Sequence, residues 1–286
     1  MTAIPFCKFE GFGNDYIVIE RSNIPEHLSV PDLTRSICDR HKGVGSDGVT
    51  ILEELDFDDP ADYSCEIINP DGSVAGFSGN GTRCAVAYLH FKKLWTQQGL
   101  KLRTRSGIKN YTLLETLADG HYWFEAEIGK PGFGSDDIPI FAEFPLVSVI
   151  DRSIPVGGAW VNICAVNVGN PVAGVFVDGF DFDWRGLGKE LESHAAFPER
   201  TNVVFIKVLD GENIEVRIWE RGAGETSASG TCASGAAVLS AFTGKTERTV
   251  SVQSPGGVTE VYWRDSDDEI LLTGRADLSY CGEWPI

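Results

Sequence analysis

Apolar positions along this chain mostly come in short runs that predict strands, and two longer runs predict buried helices. Residues 6–20 read strand, turn, strand: Gly11-Phe12-Gly13-Asn14-Asp15 carries turn residues, and Tyr16-Ile17-Val18-Ile19 is rich in β-branched and aromatic side chains. Residues 31–40 switch to helical spacing, with Leu33 and Ile37 on one face, Thr34 and Cys38 beside them and Asp32 near the start. A glycine loop, Gly43-Val44-Gly45-Ser46-Asp47-Gly48, leads into a strand at 49–52. It lacks GK[ST], and although its glycines fall in G-x-G-x-x-G order it leads into a strand and not a helix, so the loop gives little support to phosphate binding. The acidic stretch 53–62 reads as a solvated loop, 63–69 as a strand, and Pro70-Asp71-Gly72 as a tight turn. Residues 100–128 alternate apolar and polar, the pattern of antiparallel strands with one wet face.

A second pass of the same kind follows a crossover at 131–135. Residues 160–177 read strand, turn, strand around Gly169-Asn170-Pro171; 187–194 is a short helix; 202–208 and 214–220 are strands; and 250–280 holds more strands. Each pass also contains a helix start of one design. The first is Ser78-Gly79-Asn80-Gly81-Thr82 and the second Ser229-Gly230-Thr231-Cys232, each followed by an alanine-rich apolar run. Ser, Asn and Thr cap the free N–H groups of a first turn, and glycine lets a ligand approach the backbone. Two such starts aimed at one point would cage a carboxylate, with Ser78 and Ser229 beside it. The shared order of elements predicts a twofold internal duplication: an N-terminal half at 1–130, to which the C-terminal tail returns, a second half at 131–275, and a ligand site in the cleft between them.

Composition narrows the function. With 286 residues, 42% of them hydrophobic, the chain can bury a core in each of two domains. A net charge of -18 and a pI near 4.6, with no cluster of Lys and Arg, argue against nucleic-acid binding. No stretch is long and apolar enough to span a membrane, and residues 1–7 lack the pattern of a signal peptide. The seven cysteines are scattered, with no C-x-x-C pair, and the five histidines show no metal spacing. The expectation is therefore reduced thiols in a cytoplasm and no metal.

Taken together, the segments Lys8 to Tyr16, His41 to Gly48, Asn69-Pro70-Asp71-Gly72-Ser73, Ser78 to Cys84, Val168-Gly169-Asn170-Pro171, Phe197 to Asn202, Glu220 to Thr226, Pro255-Gly256-Gly257 and Thr273-Gly274 resemble the diaminopimelate epimerases over nearly the whole chain. The resemblance implies an α/β (α+β) protein of two pseudo-symmetric domains, each a mostly antiparallel sheet wrapped around a central helix. It implies a homodimer and a cofactor-independent amino-acid racemase that converts LL- to meso-diaminopimelate in lysine biosynthesis. In that family a cysteine opens each central helix. One takes the α-proton as thiolate, and the other delivers a proton to the opposite face. Carried over, the catalytic positions are Ser78 and Ser229. Asn14, Asn69, Asn170 and Asn202 would hydrogen-bond the substrate, Glu220 and Arg221 its α-amino and carboxylate groups, and Gly79, Asn80, Gly230 and Thr231 would supply backbone N–H groups.

The chain departs from the family where proton transfer occurs. Serine stands at both thiol positions, and a hydroxyl is a far weaker acid than a thiol, whose reference pKa is about 8.5. Cys232 replaces a glycine of the family, Ser234 a frequent cysteine, Val172 the histidine of an N-P-H turn, and Glu10 a histidine. Three readings stay open: an epimerase with its thiols replaced; a divergent isomerase or dehydratase of a related amino acid that uses Ser78 and Ser229; and a non-catalytic amino-acid binder or inactive variant.

Overall fold

A computed structural model describes residues 3–76 and 78–286. In chain order its strands are β1 (Ala3–Gly11), β2 (Asn14–Glu20), β3 (Gly48–Glu54), β4 (Tyr63–Ile68), β5 (Gly99–Thr104), β6 (Gly107–Ala118), β7 (His121–Gly129), β8 (Val149–Val156), β9 (Ala159–Asn167), β10 (Pro171–Phe176), β11 (Asn202–Val208), β12 (Asn213–Glu220), β13 (Gly224–Thr226), β14 (Thr249–Ser254), β15 (Gly257–Trp263) and β16 (Ile270–Pro285). The helices are α1 (Val30–Ile37), α2 (Gly79–Phe91), α3 (Trp184–Glu192) and α4 (Gly230–Phe242). The chain divides into two compact units, Met1–Ala126 with Thr273–Ile286, and Glu127–Leu272.

In the first unit the strands neighbour one another in the order β1-β2-β3-β4-β5-β6-β7-β16, and β1 also pairs with β16, so the ring of strands closes. The β2–β3 and β4–β5 pairings are parallel, while β1–β2, β3–β4, β5–β6 and β6–β7 are antiparallel. Helix α2 is buried from Asn80 through Leu89. A helix with no wet face needs cover on all sides, and the strands supply it. Helix α1 is amphipathic instead. It buries Leu33, Thr34 and Ile37, and Ser29 caps it by accepting from the Asp32 amide.

The second unit repeats this plan in the order β8-β9-β10-β11-β12-β14-β15-β16. Its β10–β11 and β12–β14 pairings are parallel and its β8–β9, β9–β10, β11–β12 and β14–β15 pairings antiparallel. Helix α4 is buried from Cys232 through Ser240, as α2 is in the first unit. Close helix–strand approach is set by small residues: a Cβ at Gly235 would lie 2.9 Å from Val172, and one at Gly174 2.7 Å from Leu239. Val172, which the resemblance set against a histidine, is thus a fully buried core residue packed on α4.

The cysteines correct one expectation. Cys7 and Cys281 stand opposite each other in the antiparallel β1–β16 register and form a disulfide. Cys38, Cys65, Cys84, Cys164 and Cys232 are free and buried. Scattered positions in sequence hid a pair that only strand register brings face to face.

Candidate active site

In the first unit Ser78 is the N-cap of α2: its Oγ accepts the Gly81 amide at 3.1 Å. The amides of Gly79 and Asn80 lie in the first turn, where no helix carbonyl precedes them, at the positive end of the helix dipole. Ser78 Oγ is also 2.9 Å from the Tyr16 hydroxyl. Tyr16 gets there through the parallel β2–β3 register, which pairs it with Gly48. A Cβ at Gly48 would lie 2.8 Å from Tyr16 Cε1, and one at Gly81 3.0 Å from the same atom. Two glycines therefore flank the ring and let its hydroxyl reach the helix start.

Behind this pair runs a hydrogen-bonded chain. Arg83 Nη1 donates to Asn80 Oδ1 (2.9 Å), Asn80 Nδ2 to Asn14 Oδ1 (3.2 Å), and Asn14 Nδ2 to Asp47 Oδ2 (2.7 Å). Arg40 bridges Asp47 (2.7 Å) and Asp15 (2.8 Å), and Lys8 pairs with Asp15 at 2.7 Å. Burial pushes the Asp15 carboxyl up, but its hydrogen bonds from Arg40 and Lys8 outweigh that and hold it below its ordinary value. Arg83 is 1% exposed, and burial lowers its pKa. It lies over the backbone of Gly274, where a Cβ would sit 2.5 Å from Cζ. That contact gives the Thr273-Gly274 motif a physical reason. Phe12, the first residue of the tight turn between β1 and β2, has φ 58, a left-handed conformation that is costly for an aromatic residue. The Glu10 carboxylate accepts the Gly13 amide of that turn at 2.9 Å, so Glu10 serves the turn.

In the second unit Ser229 caps α4, and its Oγ accepts the Cys232 amide at 3.4 Å. Its hydroxyl donates to Glu220 Oε2 at 3.0 Å. The β12–β13 hairpin makes this contact: Glu220 pairs with Gly224, Gly222 and Gly224 take left-handed φ values of 80 and 81, and the chain folds back toward Ser229. Glu192 fixes the hairpin tip by accepting the Gly222 amide (2.7 Å) and the Trp219 indole N–H (3.1 Å) while pairing with Arg200 at 2.5 Å. Burial pushes the Glu220 carboxyl above its ordinary value, against the pull of the Thr226 and Ser229 hydroxyls.

Of the residues singled out by sequence, Ser78, Gly79, Asn80 and Asn14 form one group in the first unit. Asn69 is not part of it. Its amide donates to Ser73 Oγ (3.0 Å) inside the turn that Asp71 also closes. In the second unit Ser229, Gly230 and Thr231 share the helix start with Glu220, while Arg221 joins Asn170 and Asn202. Arg221 Nη2 donates to Asn170 Oδ1 at 3.3 Å and its Nη1 to the Glu199 carbonyl at 3.1 Å. The Asn202 side chain ties Pro171 O (3.0 Å) to the Arg221 amide (3.0 Å). Sequence reasoning missed Tyr16, Asp47 and Arg83. Cys84 and Cys232 do not replace the absent thiols, since both are fully buried and burial pushes each thiol up.

Known proteins match this chain over nearly its whole length. The diaminopimelate epimerase family profile matches residues 6–131 and 164–279. The diaminopimelate epimerase of Caldanaerobacter subterraneus subsp. tengcongensis is 37% identical, over 97% of this chain and 98% of its own. That of Gloeothece citriformis is 35% identical, over 98% of each chain. Among solved structures, a probable proline racemase from Agrobacterium radiobacter K84 superimposes with a TM-score of 0.71 over 99% of this chain and 93% of its own; at 15% identity it speaks to the fold alone. A buried central helix in each of two like units, joined to a match with these relatives over nearly the whole chain, places the chain in the diaminopimelate epimerase family.

Proposed function

We propose that this protein is a cofactor-independent amino-acid epimerase that inverts the α-carbon of diaminopimelate, LL to meso, and that one amino acid engages the helix starts of both units. The observation that carries this is the repeated cap: in each unit a serine opens the buried helix, and its Oγ is hydrogen-bonded to a second protic group, Tyr16 or Glu220. The first-turn amides of Gly79, Asn80, Gly230 and Thr231 would hold the substrate carboxylate and stabilise charge that develops at the α-carbon. Ser78 and Ser229 would exchange protons with that carbon. Asn14, Asn69, Asn170 and Asn202 would hydrogen-bond the substrate's distal and α groups, and Glu220 and Arg221 would contact its α-amino and carboxylate groups. Two proton carriers serving opposite faces invert a stereocentre without an electron sink.

The test is α-proton exchange. The protein is incubated with LL-diaminopimelate in deuterium oxide and the α-signal followed by NMR. Loss of the signal with formation of the meso isomer is expected, and an unchanged signal after prolonged incubation would rule out epimerisation of this substrate. We also infer a cytoplasmic homodimer, as suits a biosynthetic enzyme with a soluble substrate. The Cys7–Cys281 disulfide pulls the other way, since a reducing compartment keeps thiols free. Alkylation of Cys281 in freshly lysed cells decides the first point, and sedimentation equilibrium the second.

A further inference from the structure

We infer that Tyr16 is the proton store of Ser78: its phenol leaves the Ser78 hydroxyl poised to donate and replaces the proton that Ser78 gives to the substrate. This deepens the epimerase reading above and rests on it. Ser78 Oγ accepts the Gly81 amide at 3.1 Å and lies 2.9 Å from the Tyr16 hydroxyl. A serine oxygen has two acceptor positions and one proton. With the amide in one position and the phenol donating into the other, the serine proton points in a third direction, clear of both. A phenol, with a reference pKa of about 10, keeps its proton at neutral pH yet yields it to an alkoxide, because an aliphatic hydroxyl is the weaker acid.

The fold commits the ring to this contact. Tyr16 is 7% exposed, and the parallel β2–β3 register sets it opposite Gly48. Gly81 serves the pair twice. Its N–H holds the Ser78 oxygen, and its missing side chain admits the Tyr16 ring, since a Cβ there would lie 3.0 Å from Cε1. Helix α2 also carries an internal control. Thr82 Oγ1, one turn further along, is hydrogen-bonded to the Tyr111 hydroxyl. Both of those residues are buried, and the threonine already donates its proton to the Ser78 carbonyl at 2.8 Å. Burial pushes the Tyr111 phenol up to about 12. That pair has no proton to offer a ligand and serves the helix, whereas Ser78 is partly exposed.

The step balances. After the substrate has lost its α-proton from one face, the electron pair left on the α-carbon takes the Ser78 proton on the other. The Ser78 O–H bond breaks as the new Cα–H bond forms. In the same step the Tyr16 O–H bond breaks and its proton goes to Ser78 Oγ, leaving a phenolate. The proton taken from the substrate is released to solvent and Tyr16 takes one back, so no proton is consumed overall and nothing is oxidised or reduced. In the reverse direction the phenolate draws the Ser78 proton away as Ser78 Oγ takes the α-proton. Tyr16 acts through Ser78 and is a positioning and proton-holding residue.

The experiment measures kcat and KM for the conversion of LL- to meso-diaminopimelate by the full chain. Tyr16→Phe is expected to lower kcat about 100-fold, with KM within about threefold of the parent. Tyr111→Phe removes a buried phenol from the same helix and should keep kcat within about threefold. In a Ser78→Cys background Tyr16→Phe should cost less than about threefold, because a thiol at a helix N-terminus gives and takes its proton without a second group. If Tyr16→Phe does not fold, the parent itself supplies the test: kcat in mixtures of water and deuterium oxide should follow a bowed line, since two exchangeable protons move in one step. Parent-like kcat in Tyr16→Phe, a loss confined to KM, an equal loss in Tyr111→Phe or in the Ser78→Cys background, or a straight line in the mixtures would overturn the inference while leaving the epimerase reading in place. A parent that converts nothing would overturn that reading and this inference with it.

Discussion

In the first unit the hydroxyl of Ser78 meets a phenol; in the second that of Ser229 meets a carboxylate. The surrounding plan is the same in both. Tyr16 pairs with Gly48 across a parallel ladder, and Val172 pairs with Asn202 across the corresponding one. What differs is which strand supplies the partner. In the first unit the partner comes from β2, where Gly48 and Gly81 leave room for a ring. In the second the β10 position is filled by Val172, packed on Gly235, and the partner comes from the end of β12. The helix start and the cap are alike in the two units, and the two serines have partners of different acidity. A two-sided inversion needs a group that gives a proton and a group that takes one, and a phenol and a carboxylate meet that need unequally.

The comparison can be sharpened or broken by substitution. The largest effect is expected from Ser78→Cys with Ser229→Cys, which should raise α-proton exchange by orders of magnitude, because helix N-termini ionise thiols far more readily than hydroxyls. Exchange that stays at parent level in this double variant would mean that the serines do not face the α-carbon. Next comes Gly48→Ala. Its Cβ would meet the Tyr16 ring at 2.8 Å and the Ile68 carbonyl at 2.9 Å, so the first unit should lose about 1–3 kcal/mol of stability in urea denaturation. Exchange should fall as Tyr16 leaves Ser78, and a silent Gly48→Ala would remove the reason given for that glycine. Reducing Cys7–Cys281 should cost about 2–4 kcal/mol, read as a lower melting temperature with the loss of amide protection centred on β1 and β16. Equal loss in α4 would show that the two units melt as one.

The smallest effect is a pH dependence. The folded state holds Glu220 above its ordinary pKa, so it binds the proton more tightly than the unfolded chain does. At pH values below the ordinary carboxylate range both states are protonated, and Glu220 favours neither. As pH rises through the window between the ordinary and the raised value, the unfolded chain ionises first and the parent loses stability. Glu220→Gln lacks that loss. Denaturation midpoints of the two proteins should therefore diverge in favour of the variant as pH rises above the ordinary carboxylate range. Parallel curves would place Glu220 in water.

Much of the fold was legible in the sequence because its signals are local. The strand runs, the turn glycines and the two serine-capped apolar helices each announce themselves within a dozen residues or so. Strand β8 escaped because Asp151, at φ 49, lies within a register shift against β9, which breaks the alternation a strand would show. At the candidate site, Ser78 and Ser229 were readable as caps, and Gly79, Asn80, Gly230 and Thr231 as a first turn. The partners that give those serines their chemistry were not. Tyr16 reaches Ser78 from 62 residues away, through a parallel register no periodicity encodes. The disulfide joins cysteines 274 residues apart. The asparagines show why a motif needs coordinates: Asn14 lies inside a part-buried polar chain, Asn69 closes its own turn, and Asn202 ties two strands together.

The central claim is that a single amino acid is held by both helix starts. Titrating the 15N-labelled protein with LL-diaminopimelate and following the backbone amides of Gly79, Asn80, Gly230 and Thr231 tests it most directly. The account predicts that all four shift together, along one saturation curve with one Kd. Shifts confined to one helix start, or two curves with different midpoints, would contradict it.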